Sequence, residues 1–243
     1  MDSIEKEPTT QKGAARTIRC GRPPAERAGE VEERILDAAH KVFLERGFDG
    51  ASIDLIAETA RSGKPTIYSR FPNKEALLEA TVVRTIARRN ARLQSHKPDG
   101  VTIEERLASV AFALLGETLS DDYIGMLRVA LGEARRAPDL VRGLIRMARE
   151  RGSEIATRML AEVVKCETFP AMLRDSGDPH ALAARYFLDL VLLPPLMRAL
   201  AGENVQDLRA EADLGVPRRV AFFLAAFRDS APRPTFEPQS PVG

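Results

Sequence analysis

The chemistry written most densely into this chain lies between Ser52 and Lys74. Lys64, Pro65, Thr66, Tyr68, Ser69 and Arg70 follow one another closely, with Arg61 and Lys74 on either side. From Arg61 to Lys74 every charged residue is basic: Arg61, Lys64, Arg70 and Lys74. Hydroxyl and ammonium groups near helix starts suit phosphate oxygens. A lysine can donate to guanine O6 and N7, and a proline can meet a thymine methyl. Ser52, Thr66, Tyr68 and Lys74 are therefore candidate phosphate contacts, and Lys64 and Pro65 candidate base readers. Ser69 and Arg70 complete the DNA-facing set, Arg70 suiting either phosphate or base. Arg61 suits phosphate or open solvent. Tyr68 has a second reading, a half-buried ring with a wet hydroxyl.

Two short helices must position these groups. Ser52 can accept from an early backbone N–H and cap the first, whose apolar side is Ile53, Ile56, Ala57 and Ala60. Arg61-Ser62-Gly63 breaks that pattern, with Gly63 tolerant of the angles a turn needs. Pro65 falls in the first turn of the next helix, where a missing N–H costs little. Residues 52–71 thus read as a helix-turn-helix. A preceding helix is expected from Val31 to Arg46, with Gly47 as its stop and Phe43, Phe48, Ile56, Ile67 and Phe71 in one small core. Asn73 caps a fourth helix that buries Leu77, Leu78, Val82 and Ile86 and is expected to leave Arg84, Arg88, Arg89 and Arg92 in water.

These residues carry a family resemblance. Ile35-Leu-Asp-Ala-Ala39 with Phe43 and Gly47-Phe48, then Ser52 and Ile56-Ala57, then Gly63-Lys-Pro-Thr-Ile-Tyr68 with Phe71 and Asn73-Lys-Glu-Ala-Leu77, resemble the DNA-binding domain of the TetR (tetracycline-repressor-like) transcriptional regulators. The match runs from Glu32 to about Ala91. It departs at Arg61, where many members carry a turn glycine, and at Ser69-Arg70, where members vary. The resemblance implies backbone clamps at Tyr68 and Lys74, a homodimer on a near-palindromic operator, ligand-responsive repression, and an all-α fold. The expected organisation is a flexible basic arm (1–28), the DNA-binding domain (29–89), a helical effector-binding and dimerisation domain (90–229) and a proline-rich tail (230–243). In the arm, Gly21-Arg22-Pro23 resembles an AT-hook-like segment, and Arg22 either enters a minor groove or stays solvated.

Charge agrees with this division. The net charge of +1 is uneven: residues 12–92 hold 16 Lys/Arg against 11 Asp/Glu, and residues 93–243 hold 19 against 21. A basic front suits nucleic acid and a mildly acidic rear stays off it. Cys20 and Cys166 offer no disulfide framework, no apolar run reaches membrane-spanning length and no signal peptide is evident, so a cytoplasmic protein without membrane attachment is expected. No His/Cys/Asp/Glu group has metal spacing, and no nucleophile elbow, phosphate loop or His-Glu-x-x-His occurs. No cofactor, metal or catalytic residue is assigned. The competing class is a helical small-molecule-binding protein or enzyme with an incidental helix-turn-helix; a non-specific architectural DNA binder is a third.

Beyond the His96–Gly100 linker the chain reads as helices: Ile103–Leu119, Ile124 to about Arg136, Asp139 to about Val164, one opened by Asp178-Pro179 and split by Pro194-Pro195, and a last one from near Val216-Pro217, with a possible upstream extension through Leu208–Ala212. Phe112, Met126, Met147, Met159 and Phe187 either line an effector pocket or form an ordinary core. Leu190, Phe222, Phe223 and Phe227 lie on segments apolar on more than one side; burial within one subunit and burial between two are both open. The resemblance implies the second, as a four-helix bundle across a twofold axis.

Overall fold

The computed structural model describes residues 25–164 and 177–228, and among them there is no strand. The order is α1 (Ala25–Gly50), α2 (Ile53–Thr59), α3 (Lys64–Tyr68), α4 (Lys74–Ser95), α5 (Ile103–Thr118), α6 (Asp121–Gly132), a 3-10 turn (Glu133–Arg135), α7 (Pro138–Val163), α8 (Pro179–Val191), α9 (Leu193–Leu200) and α10 (Val205–Arg228). The arm with Arg22, the tail from residue 230 and the side chain of Phe227 fall outside the described part.

Side-chain caps start most of these helices. Ser52, Asn73, Ser120 and Asp178 each accept from a first-turn backbone N–H, and Thr102 with Glu105 forms a reciprocal capping box before α5. Gly47, at φ 67°, interrupts helical geometry inside α1, so the expected stop is present and one further turn follows it. The α8–α9 break falls at Leu192, putting Pro194 and Pro195 in a first turn that needs no donors.

Two elements differ from expectation. α6 starts at Asp121, earlier than Ile124, because Ser120 caps it and Asp121 and Asp122 favour its N-terminus. α10 starts at Val205 and carries Pro217 inside it. Pro217 and Asp213, whose carbonyl loses its helical donor, are both exposed, so water can take that bond.

The apolar interior forms two clusters. One joins Ile35, Phe43, Phe48, Ile56, Ile67, Phe71, Leu77 and Ile86 of α1–α4 to Tyr123, Met126, Ala130 and Leu144 of α6 and α7. The other joins Leu93 to α5, α7, α8, α9 and α10 around Met159, Phe187 and Phe223. α4 is common to both, running unbroken from the small α1–α3 head into the body.

That shared position corrects the view of its arginines. Arg84 and Arg89 are 9% and 3% exposed, while Arg88 and Arg92 keep about half of their side chains in water. Arg84 and Arg88 both pair with Glu33 and Asp37 of α1, at 2.8–3.2 Å. Among the described residues no carboxylate lies within bonding distance of Arg89. Its Nε and Nη2 donate to Thr118 Oγ1 (3.2 and 2.6 Å), its Nη1 donates to Asn90 Oδ1 (3.1 Å), and its guanidinium lies 5.1 Å from the Tyr123 ring centroid.

Candidate nucleic-acid interface

The turn between α2 and α3 is a Schellman closure. Ser62 N–H donates to Ala57 O (2.9 Å) and Arg61 N–H to Glu58 O (3.1 Å), which uses two of the free carbonyls in the last turn of α2. This geometry needs a left-handed residue after the cap, and Arg61 occupies it at φ 49°. The arginine therefore adopts the angles its glycine counterpart would take, at some backbone strain. Gly63, by contrast, sits at φ −75°, ψ 145°, an extended conformation open to any residue.

α3 is held to the core by one side chain. Ile67 is fully buried, whereas Lys64, Pro65, Tyr68 and Ser69 are exposed and Thr66 and Arg70 half-buried. The outward side of α3 is thus open along its whole length. Tyr68 is 50% exposed, which favours an available hydroxyl over a ring packed into the fold.

The local bonds set what each group has left to offer. Ser52 Oγ accepts from Leu55 N–H (3.1 Å), so its own hydroxyl hydrogen remains for an outside acceptor. Ser69 Oγ donates to Thr66 O (2.9 Å), and Arg70 Nη1 reaches the same carbonyl at 3.5 Å. Lys64 Nζ pairs with Asp54 of α2. Both partners are more than half exposed, so exchanging Asp54 for a nucleic acid costs little. Asp54 was not legible as part of this site: it lies ten residues from Lys64, and the turn alone brings the two together.

Lys74 is placed differently from a simple phosphate contact. Its Nζ donates to Phe48 O (2.8 Å) and Ala51 O (3.0 Å) and sits 4.3 Å from the Phe48 ring centroid. Two of three ammonium donors thus tie the end of α1 to the start of α4. The third is left for a phosphate.

Further contacts join head to body. His40 of α1 meets Asp122 of α6 at 3.0 Å; burial lowers the imidazole pKa below its ordinary 6.5, outweighing the pull of Asp122. Arg136, after the 3-10 turn, pairs with Asp49 at the end of α1. Burial likewise lowers the pKa of Arg89 and raises that of Tyr123.

The five side chains expected around an effector do not converge. Met126 is fully buried in the cluster shared with the head, because α6 turns that face toward α1 and α4. Met159 and Phe187 belong to the body cluster. Phe112 is an exposed residue of α5, and Met147 is half-buried on α7. The interface candidates also divide. Phe223 is 5% exposed and packs edge-on against Phe187 with centroids 5.0 Å apart, which makes it a core residue of its own subunit. Phe222, one position earlier and so about 100° around the helix, is 69% exposed. Leu190 is half-buried. Tyr186, Leu193, Met197 and Leu214 add exposed apolar surface on α8–α10. No described helix is long and apolar enough to cross a membrane, and no described group of three or more His/Cys/Asp/Glu could hold a metal.

Comparison with known proteins matches two family models to this architecture. Residues 35–81 match bacterial regulatory proteins of the tetR family, and residues 105–229 match the C-terminal domain of AefR-like transcriptional repressors. The HTH-type transcriptional repressor Rv1474c of Mycobacterium tuberculosis is 28% identical over 181 residues, 74% of this chain and 88% of that protein. The class D tetracycline repressor protein of Escherichia coli is 28% identical over 169 residues, 68% of this chain and 76% of that one. Among solved structures, a TetR-family regulator from Mesorhizobium loti superimposes with a TM-score of 0.68 at 24% identity, covering 82% of this chain and 97% of its own. The flavonoid-responsive regulator FrrA does so with a TM-score of 0.58 at 28% identity, covering 82% and 97%.

Proposed function

We propose, for a chain that belongs to the TetR family and is therefore a DNA-binding transcriptional regulator, that two copies grip a near-palindromic operator through the outward sides of their α3 helices. The single observation that carries this is α3 itself: Ile67 anchors it while Lys64, Pro65, Tyr68 and Ser69 face out. Lys64 and Pro65 read base edges; Ser52, Arg61, Thr66, Tyr68 and the spare donor of Lys74 take phosphates. Ser69 and Arg70 lie at the far end of the same surface. Half-sites about one turn, ~34–36 Å, apart follow from twofold symmetry. The exposed Tyr186, Met197 and Phe222 support pairing through α8–α10.

The default output is repression, in keeping with the repressors among its relatives. A small-molecule effector in the body would act by favouring one of two head positions. α4 is the element suited to carry the change, since Arg89 fixes it to α5 and α6 while Arg84 and Arg88 fix it to α1. FrrA, by its name, responds to flavonoids, which supports a small organic effector here without fixing its class.

The test is binding of the full chain to DNA from upstream of its own gene, measured across a salt series against random duplex. Selection of a twofold-symmetric site, with affinity falling linearly in log salt, is expected. Equal affinity for random DNA would reject the regulator reading in favour of a non-specific binder. Absence of any salt-dependent binding would reject the interface altogether.

A further inference from the structure

Lys64 opens α3, and its ammonium is in contact with Asp54 Oδ1 of α2. The two residues stand near the starts of successive helices, Asp54 in the first turn of α2. Negative charge is favoured at such a helix start. Neither side chain is buried: Lys64 is 54% and Asp54 66% exposed. The contact therefore holds a carboxylate on the outward surface where Lys64, Pro65, Tyr68 and Ser69 are open to DNA.

On a surface that meets a polyanion, a carboxylate lowers overall affinity. An exposed ion pair also adds little stability. What the pair can set is the acceptor that Lys64 takes. An ammonium is a point charge on a flexible stem, with no geometric preference of its own between phosphate and base. It carries three donors. With one on Asp54, two remain, the number that guanine O6 and N7 accept. A guanine edge brings neutral acceptors to the pair. A phosphate brings a second anion beside the Asp54 carboxylate, and like charges repel. Lys74, at the start of α4, shows the contrast: the carbonyls of Phe48 and Ala51 hold its ammonium and leave its charge uncancelled for a phosphate.

We infer that Asp54 is a positioning residue for Lys64 and a determinant of operator specificity: it directs the ammonium toward base edges and away from phosphates. This role rests on base reading by Lys64 and supplies the group that enforces it. Asp54 acts by discrimination, weakening binding to random duplex more than binding to operator.

The test compares full-length wild type, Asp54→Asn and Asp54→Glu on the operator selected by wild type and on random duplex of equal length. Affinities are measured across a salt series, with in vitro selection beside them. Asparagine removes the charge and keeps the shape, and the exposed position leaves the core untouched. Asp54→Asn is expected to bind random duplex about tenfold tighter, with a log–log salt slope steeper by about 0.9 as Lys64 joins the phosphate contacts. It is also expected to lose preference at the base position that Lys64→Ala loses. Asp54→Glu is expected to keep wild-type preference and slope. An unchanged operator-to-random ratio in Asp54→Asn would overturn the inference. Weaker operator binding with random-duplex affinity unchanged would overturn it too, since that is how a residue touching bases itself, or only supporting the fold, behaves. Uniform tightening on all sequences, with the Lys64-dependent position intact, would reduce Asp54 to a general charge effect and reject positioning. Equal losses in Asp54→Glu and Asp54→Asn would reject the part played by its charge. Lys64→Ala with the full motif retained would remove base reading and the role of Asp54 together. Lys64→Ala losing a position that Asp54→Asn keeps would refute the role of Asp54 alone.

Discussion

Replacing Lys74 by methionine separates a structural staple from a phosphate contact. Methionine keeps an unbranched apolar stem of similar reach and removes only the ammonium. Two bonds disappear, to Phe48 O at 2.8 Å and Ala51 O at 3.0 Å, together with the contact 4.3 Å from the Phe48 ring. Phe48 O still accepts from Ala51 N–H at 3.3 Å, whereas Ala51 O loses its described donor. Hydrogen bonds from a charged donor contribute about 1.5–3 kcal/mol each, and a cation over a ring about 0.5–1 kcal/mol. Lys74 is half-buried, so water recovers part of this, and a net loss of about 2–3 kcal/mol is expected. For a protein of this size that corresponds to a Tm lower by about 4–12 °C. Circular dichroism melting of Lys74→Met beside wild type reads it directly. A salt series on DNA supplies the second axis, because loss of one phosphate contact reduces the log–log slope by about 0.9. A Tm within about 1 °C of wild type, with the slope reduced, would refute the staple and return Lys74 to a purely DNA-facing role.

Other substitutions test neighbouring parts of the account. Arg61→Gly should raise stability by about 0.5–1 kcal/mol in denaturant unfolding, by relieving the left-handed φ of 49°, while weakening DNA binding through one lost phosphate contact; a destabilised variant would contradict the turn geometry. Phe222→Glu should give monomers in sedimentation with the fold retained, whereas Phe223→Ala should cost about 3–5 kcal/mol as a core truncation; the opposite pattern would reverse their assignments. For His40, the folded pKa lies below the unfolded one because of burial, so its contribution is present above the ordinary 6.5 and is lost as pH falls through the folded value. Lowering pH from about 7.5 to about 5.5 should therefore reduce Tm more in wild type than in His40→Gln. Equal losses would remove His40 from the acid response.

What could be read from the sequence was local. Ser52, Asn73 and Asp178 cap helices because the capping bond spans three residues, and Gly47 and Pro194-Pro195 interrupt them for equally short-range reasons. The open side of α3 followed from a single apolar residue, Ile67, among polar ones. What stayed hidden depends on which elements meet. Arg84 and Arg89 look like solvated charges until α1 supplies Glu33 and Asp37, and α5 supplies Thr118. Met126 and Phe223 are apolar residues on amphipathic helices, and only the packing of α6 on α1, and of α10 on α8, decides which side each one covers. Asp54 and Phe48 enter the DNA-facing region through turns, a relation that periodicity does not encode. Pro217 lies inside a helix because it and Asp213 face water, a fact about tertiary exposure.

The most direct test of the central claim is an in vitro selection of bound DNA carried out in parallel with wild type and Lys64→Ala. If the outward side of α3 reads the duplex, the variant should lose preference at one symmetry-related position in each half-site, by about 1–3 kcal/mol, and keep the rest of the motif. Uniform weakening across all sequences, or an unchanged motif at full affinity, would contradict base reading by this helix.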